Sequence, residues 1–355
     1  MSLLKQCVGI DISRSSFTAC ICSKSLAADS FTAIKSFKNE KQGFNQLLRW
    51  SKKNCDKGTE TVFLMEATGV YHEQLAHHLA QLGKTVHVVL PNMSKHYFSS
   101  LNIKTKTDAL DAKILSRFGA ERKHKTWQPP GKVLRQLRNL TRYHVQLQEQ
   151  KTALNNIKHS KEEAHGTQSF ILKSNRAIIG QLDRQIEKCL EEIKKLIASD
   201  PELKARMDKV LTIKGLGLIT VATIVAETRG FDQFTSIKQV VSYAGYDVVE
   251  RQSGSSVKGK TRISKKGNRY IRNALYFPAM VACRYNQELK TAYQRIIEGK
   301  PSKMVGQVAI QRKLLALTYT LWKNNQEYRE GYQKNSSKPK PRATQDSSIK
   351  ELPTI

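Results

Sequence analysis

No two cysteines among the 355 residues stand in a C-x-x-C pair, and the six present form no metal-ligand pattern. A zinc site is therefore not expected. Cys20 and Cys22 are one residue apart, a spacing that points both to the same face of a strand. Free thiols and the want of a secretory leader point to the reducing cytoplasm. No apolar run approaches the roughly 18 to 20 residues that span a bilayer, and neither end carries a basic amphipathic anchor. Acids are scarce: 30 Asp and Glu stand against 60 Lys and Arg, for a net charge of +30. That excess is spread along the whole chain. It exceeds what solubility needs and implies a polyanionic partner, most simply nucleic acid and not a membrane.

Where acids are scarce, their placement matters. Asp11 ends the apolar run Cys7-Val8-Gly9-Ile10, and Glu66 ends Thr61-Val62-Phe63-Leu64-Met65. Asp108 and Asp111 open a helix, and their three-residue spacing puts both on one face. A chain this basic would ordinarily pair its acids with lysines. Four of them in this order suit divalent cations held against a phosphate. An Asp on the first strand, an acid on a later central strand and others on a following helix is the scheme of a ribonuclease-H-like fold. Taken singly, each acid has a plainer explanation, as a turn cap or as a partner of the helix dipole.

Residues 1–128 alternate strands, expected at 6–11, 17–23, 31–37, 60–66 and 85–90, with helices at 42–54, 71–82, 92–100 and 107–121. Gln128-Pro129-Pro130-Gly131 marks a boundary. Residues 129–200 read as two long helices, a hairpin or a dimerising coiled coil. Val133, Leu137, Leu140, His144, Leu147 and Leu154 stripe the first, and Ile179, Leu182, Ile186, Cys189, Ile193 and Leu196 stripe the second. His165-Gly166 is the expected bend. Residues 201–328 form a third, mainly helical unit, and 329–355 a basic disordered tail rich in Ser, Lys and Pro.

Two features of the third unit bear on chemistry. In Lys214-Gly215-Leu216-Gly217 the paired glycines allow a tight turn that aims amides at a phosphate, as in a helix-hairpin-helix element; a plain helix–helix turn explains them as well. From Arg251 to Arg272 there is no acid, while Arg251, Lys258, Lys260, Arg262, Lys265, Lys266, Arg269 and Arg272 supply cations suited to phosphate contacts. The serines of this loop bond phosphates at the least. A serine becomes a nucleophile only if its proton is removed and the phosphorane charge is neutralised.

These stretches together resemble one family. Gly9-Ile10-Asp11-Ile12-Ser13, Met65-Glu66-Ala67-Thr68-Gly69-Val70-Tyr71 and Lys106-Thr107-Asp108-Ala109-Leu110-Asp111-Ala112 look like its N-terminal signatures. Ile213-Lys214-Gly215-Leu216-Gly217, Ser242-Tyr243-Ala244-Gly245, Ser253-Gly254-Ser255-Ser256 and Ser264-Lys265-Lys266-Gly267-Asn268 look like its C-terminal ones. The chain resembles, over about residues 5–320, the DEDD transposases of bacterial insertion sequences, bridge-RNA-guided recombinases to which the pilin-gene invertases are related. The resemblance implies an α/β plus all-α protein: a RuvC-like, ribonuclease-H-like N-terminal domain, a helical hairpin or coiled-coil linker, and a mainly helical C-terminal transposase domain. It implies that Asp11, Glu66, Asp108 and Asp111 bind Mg2+, with Mn2+ as a substitute. Ser253 is implied as the nucleophile of a phosphoserine intermediate, with Ser255 and Ser256 as near alternatives. A homodimer or homotetramer, donor and target DNA, a noncoding bridge RNA and a nucleoid-associated cytoplasmic setting are implied too. Tyr246-Asp247 departs from the family, where Leu and then a small residue or Pro are more usual.

Other activities fit less of the chain. A DNA invertase of the same family shares this plan. A Holliday-junction-resolvase-like nuclease would not need residues 201–328. An actin-like kinase would want a glycine-containing phosphate loop after Asp11, where Ile12-Ser13-Arg14-Ser15-Ser16 has none. A noncatalytic scaffold would leave the acids unexplained.

Overall fold

The computed structural model describes residues 3–331 apart from 33, 68, 104, 106, 251, 254–256, 260, 261 and 301; for residues 3, 252, 253, 257 and 258 it describes the backbone alone. The chain divides into two compact units, Met1–Pro129 and Pro130–Ile355. The first is a mixed α/β unit and the second is mostly helical. Most of the expected tail, from 332 onward, lies outside the described residues. No helix among the described residues is long and apolar enough to cross a membrane.

The first unit runs β1 (Leu3–Ile12), β2 (Ser16–Ser25), β3 (Asp29–Phe31), β4 (Lys35–Lys38), α1 (Lys41–Asn54), β5 (Thr61–Glu66), α2 (Glu73–Gln81), β6 (Thr85–Val89), α3 (Pro91–Ser100) and α4 (Asp108–Glu121). The sheet order is β3-β2-β1-β5-β6, with β4 also on β2. The pairs β1–β2, β2–β3 and β2–β4 are antiparallel, while β1–β5 and β5–β6 are parallel. Both faces are covered, so the inner strands are apolar on both sides. Val8, Ile10, Ile12, Phe63 and Met65 pack beneath Phe44 and Leu47 of α1 and Leu75 and Leu79 of α2. Cys7, Val62 and Leu64 pack with Tyr97 of α3 and Ile114, Leu115 and Phe118 of α4.

The single strand expected over 31–37 is two. At Thr32 the Ile21 N–H donates to the Thr32 hydroxyl rather than to a carbonyl, which interrupts the pairing along β2 and separates β3 from β4. The six cysteines are free thiols; Cys7 and Cys22 face each other across β1 and β2, and burial pushes the Cys22 thiol up to about 12 and Cys7 higher still. Such thiols are inert packing groups.

The second unit runs α5 (Lys132–Glu163), α6 (Ser169–Ala198), α7 (Pro201–Leu211), α8 (Leu218–Glu227), α9 (Ile237–Ala244), β7 (Val248–Val249), β8 (Gln252–Ser253), β9 (Val257–Lys258), β10 (Arg262–Ile263), α10 (Arg269–Tyr285), α11 (Gln287–Ile297) and α12 (Met304–Asn324). The break between α5 and α6 falls at His165-Gly166, where Gly166 takes φ +78°. Leu137 and Leu147 of α5 and Cys189, Ile193 and Ile197 of α6 join the same core as α7, α8, α9, α10 and α12. The distal part of the hairpin buries no such residue; Lys151 pairs with Asp183 and Arg176 with Glu162 across it.

Candidate nucleic-acid cleavage site

In the first unit two of the four acids, Asp11 and Glu66, stand at the ends of neighbouring strands, and Asp108 and Asp111 open α4. Ile10 pairs with Met65 in the parallel β1–β5 register, so the next residues, Asp11 and Glu66, end neighbouring strands. The placement of α4 follows from two glycines. A Cβ on Gly119 would lie 2.2 Å from Cys7 Sγ, and one on Gly9 would lie 2.0 Å from Ser116 N and 2.5 Å from Ala112 O. As β1 advances from 7 to 9, α4 therefore runs backward from 119 towards 112. Two more strand residues rise about 6.6 Å, which matches four to five residues of helix at about 1.5 Å each. This brings the first turn of α4, with Asp108 and Asp111, to the Asp11 end of the strand. Thr107 fixes that turn as its N-cap, its hydroxyl accepting from Leu110 N at 3.2 Å.

Glu66 is fastened from α3: the buried Ser94 hydroxyl donates to Glu66 Oε2 and also to Pro91 O. Asp11, Glu66 and Asp111 are half-buried and Asp108 is exposed. All four offer oxygen donors alone, the donor chemistry of a hard divalent cation. They fit such an ion in donor type. Among the described residues, however, no group of three or more His, Cys, Asp or Glu is close enough to hold one ion.

In the second unit the glycine pair of 214–217 divides its work. Gly215 has φ +103°, and a Cβ there would come 3.1 Å from Pro278 O and Ala282 N of α10, so both conformation and close helix approach require glycine. Gly217 is the N-cap of α8 with open space at its Cβ position. Lys214 reaches Glu330 in an exposed ion pair at 2.9 Å.

The first part of the acid-free segment lies in a nested hairpin. Val249 pairs with Arg262 in the outer rung, and Gln252 with Lys258 and Ser253 with Val257 in the inner one. Ser253 thus holds the last paired position before residues 254–256. Ser255, Ser256, Arg251 and Lys260 lie outside the described residues. Arg262, Lys265, Lys266 and Arg269 are exposed, and Arg269 lies over the Tyr270 ring. Arg272 is instead half-buried and donates to Ala244 O at 2.7 Å, closing the C-terminus of α9. Below the rungs the two chains are zipped by Ser264 N to Asp247 O, Lys265 N to Gly245 O and Asn268 N to Tyr243 O. Ser264 Oγ also donates to Asp247 Oδ1 at 2.6 Å. This gives Asp247 a structural partner. A Cβ on Gly267 would lie 2.5 Å from Tyr243 O, which accounts for the glycine in Lys266-Gly267-Asn268.

Sequence reasoning missed what anchors this stem. Glu227, the last residue of α8, is 4% exposed. It accepts from Arg142 Nε at 2.6 Å and Nη2 at 2.8 Å, and from Asn268 Nδ2 at 2.6 Å. Asn268 in turn caps α10 through Oδ1 to Tyr270 N and Ile271 N. The Tyr243 hydroxyl donates to Glu227 O, and Arg142 lies over the Tyr270 ring at 4.6 Å. The bond to Glu227 pushes the Arg142 pKa above its ordinary value. One carboxylate thus ties α5, α8 and the end of the serine hairpin. The signal was present: an acid closing an otherwise apolar helix opposes the helix dipole and, buried, demands a cation.

Residues 8–160 match the DEDD IS110 model, described as a transposase, and residues 207–294 match the model described as transposase, IS116/IS110/IS902 family. Pilin gene-inverting proteins of Moraxella bovis and Moraxella lacunata are each 30% identical over 342 residues, covering 91% of this chain and 98% of theirs. A probable family 20 transposase of Pseudomonas aeruginosa is 25% identical over 299 residues, covering 75% of this chain and 85% of its own.

Proposed function

The chain belongs to the IS110 family of transposases, and from that premise we propose that it recombines DNA through a covalent phosphoserine intermediate formed at Ser253. One observation carries this reading: a single chain holds both acids at the ends of β1 and β5 and the start of α4, and a hairpin, acid-free from Arg251 on, whose inner rung ends on a serine. The sheet, with its antiparallel β3-β2-β1 followed by parallel β5 and β6 and acids ending β1 and β5, supports a ribonuclease-H-like, RuvC-type N-terminal domain. Asp11, Glu66, Asp108 and Asp111 would hold Mg2+ or Mn2+, which supplies charge neutralisation at the phosphate and at the departing oxygen.

The chain's own residues account for the rest. Ser253 Oγ gives up its proton and bonds to phosphorus, and the sugar oxygen leaves and is protonated. Rejoining reverses this: a sugar hydroxyl attacks the phosphoserine and returns the proton to Ser253, so no external energy is required. Exposed Arg262, Lys265 and Lys266 hold the phosphate backbone. Lys258, with Arg251 and Lys260, is assigned the same part from sequence. The helix-hairpin-helix role assigned to residues 214–217 rests on Gly217 at the start of α8, since Gly215 is explained by packing. A bridge RNA reading target and donor DNA, and assembly as a dimer or tetramer, belong to the same proposal. Inversion is the favoured outcome over insertion on the strength of the two pilin gene-inverting relatives.

Ser253→Ala tests the reading. It should abolish strand exchange and the protein–DNA adduct seen after denaturation, while nucleic-acid binding stays within about twofold. Asp11→Asn and Asp108→Asn should abolish metal-dependent cutting. An adduct persisting in Ser253→Ala moves the nucleophile to Ser255 or Ser256. Cutting without any adduct in the wild type favours the resolvase-like nuclease, with water as nucleophile.

A further inference from the structure

Helix α3 buries two side chains, Ser94 and Tyr97, and the hydroxyl of each goes to a carboxylate. The Tyr97 hydroxyl donates to Glu121 Oε2 at 2.6 Å, and Arg117 Nε donates to the other oxygen of that group at 2.7 Å. Glu121 closes α4 about 20 Å along the helix from Asp108, so this set ties two helices together far from the candidate site. The Ser94 hydroxyl goes instead to Glu66, the acid that ends β5. Local structure brings it there. Glu66 pairs with Val89 in the β5–β6 register, and Ala67 N donates to Val89 O at 2.8 Å. Leu90 then caps α3, and Pro91 opens it with a φ already suited to a helix. Ser94 falls one turn in, on the same face as Pro91 and Tyr97.

A serine inside a helix can satisfy itself on a carbonyl one turn back, here Pro91 O at 3.1 Å. That bond accounts for a buried hydroxyl but not for its place beside an acid. The hydroxyl has a single proton. Glu66 Oε2 is the nearer of the two acceptors and belongs to a carboxylate, so it takes the larger share. Ser94 is 1% exposed, which shields the bond from competing water. The bond matters because the terminal torsion of a Glu side chain is broad, and nothing within the residue fixes the plane of its carboxylate. A donor on one oxygen does fix it. A carboxylate offers about four acceptor sites, so a hydroxyl on Oε2 is compatible with a cation on the same group. Partners of this kind orient metal ligands.

We propose that Ser94 is a positioning residue of the acid site, its hydroxyl orienting the Glu66 carboxylate to take a divalent cation. The proposal rests on the reading that these acids hold such an ion, and it does not depend on Ser253. It assigns Ser94 no contact with the ion or with DNA; Ser94 acts through Glu66.

The test measures Mn2+ binding to the full chain from the loss of the free-ion EPR signal, without nucleic acid, so that it does not depend on cutting. Ser94→Ala should weaken binding about tenfold. Tyr97→Phe removes a hydroxyl from the same helix but from a different carboxylate, and should leave binding within about twofold. Glu66→Gln should weaken binding too, and adding Ser94→Ala to it should change the affinity by less than about twofold, because the ligand that Ser94 serves is already lost. In cutting, the Mn2+ concentration for half-maximal rate should rise about tenfold in Ser94→Ala, while the rate at saturating Mn2+ stays within about twofold. Unchanged or tighter binding in Ser94→Ala, beside weakened binding in Glu66→Gln, would overturn the proposal and leave the carboxylates as ligands. Equal losses in Ser94→Ala and Tyr97→Phe would overturn it as well, since the packing of α3 would then be the cause. Unchanged binding in Glu66→Gln would remove the carboxylate reading itself, and the proposal with it. Should Ser94→Ala fail to fold, Ser94→Cys, whose thiol is a weak donor, replaces it under the same criteria.

Discussion

The two units place their candidate site residues by opposite means. In the first, the acids sit at the ends of regular elements, and the packing of those elements sets where they point. Gly9 and Gly119 let α4 lie directly on β1, and the backbone does the positioning. In the second, Ser253 rides on two-residue strands too short to hold themselves, and side chains from distant helices fix the stem. Arg142 and Glu227 are 85 residues apart, and Glu227 and Asn268 are 41 apart. A site built from regular elements tolerates changes that leave backbones in register. A site hung on a buried ion pair depends on single atoms.

If this contrast is right, the largest loss should come from the clamp. Glu227→Ala leaves Arg142 without its carboxylate and Asn268 Nδ2 without an acceptor. We expect a loss of about 3–5 kcal/mol in stability, read from urea unfolding of the full chain. Arg142 is partly exposed, so water softens the penalty towards the lower end. Protease cleavage within 248–263 should increase in the same variant. A loss below about 1 kcal/mol would show that the stem holds itself, and the contrast would fall.

The matching assault on the first unit is Gly9→Ala. Its Cβ would meet backbone atoms of α4, which cannot swing aside as a side chain can. Displacing α4 should cost about 2–3 kcal/mol. It should also remove metal-dependent cutting, because Asp108 and Asp111 move with the helix. Full cutting activity in a folded Gly9→Ala protein would separate α4 from the chemistry. Asp11→Asn, by comparison, changes no packing and should leave the unfolding midpoint nearly unmoved.

How much could be read from the sequence follows the same division. Strand periodicity, acids at strand ends and Thr107 ahead of Asp108 are local signals, and β1, β5 and α4 fall within a residue or a few of where those signals place them. The break at Thr32 was not legible, because it arises when a side-chain hydroxyl takes the place of a carbonyl across the sheet. The glycines of 215 and 217 look alike in sequence yet differ in use, since only the tertiary approach of α10 constrains the first. Arg272 reads as one more phosphate contact in a run of cations until its bond to Ala244 O is seen. Glu227 lay in plain view, but its partners are far along the chain, where periodicity carries no information.

The smallest expected effect probes how the second unit absorbs an irregularity in α10. Pro278 lies inside that helix and has no N–H, so Ala274 O loses its usual donor four residues on. Thr220 of α8 takes that place, its Oγ1 donating to Ala274 O at 3.3 Å. Thr220→Val keeps the shape and removes the donor. The carbonyl then stays unpaired against a buried helix, at a cost of about 1 kcal/mol. Restoring the donor within α10 by Pro278→Ala should make the same Thr220→Val change nearly neutral. A double-mutant cycle in urea measures the coupling, which should approach the full cost of the single Thr220→Val change. Additive losses would mean that Thr220 supports α8 alone and that α10 bears its proline unaided.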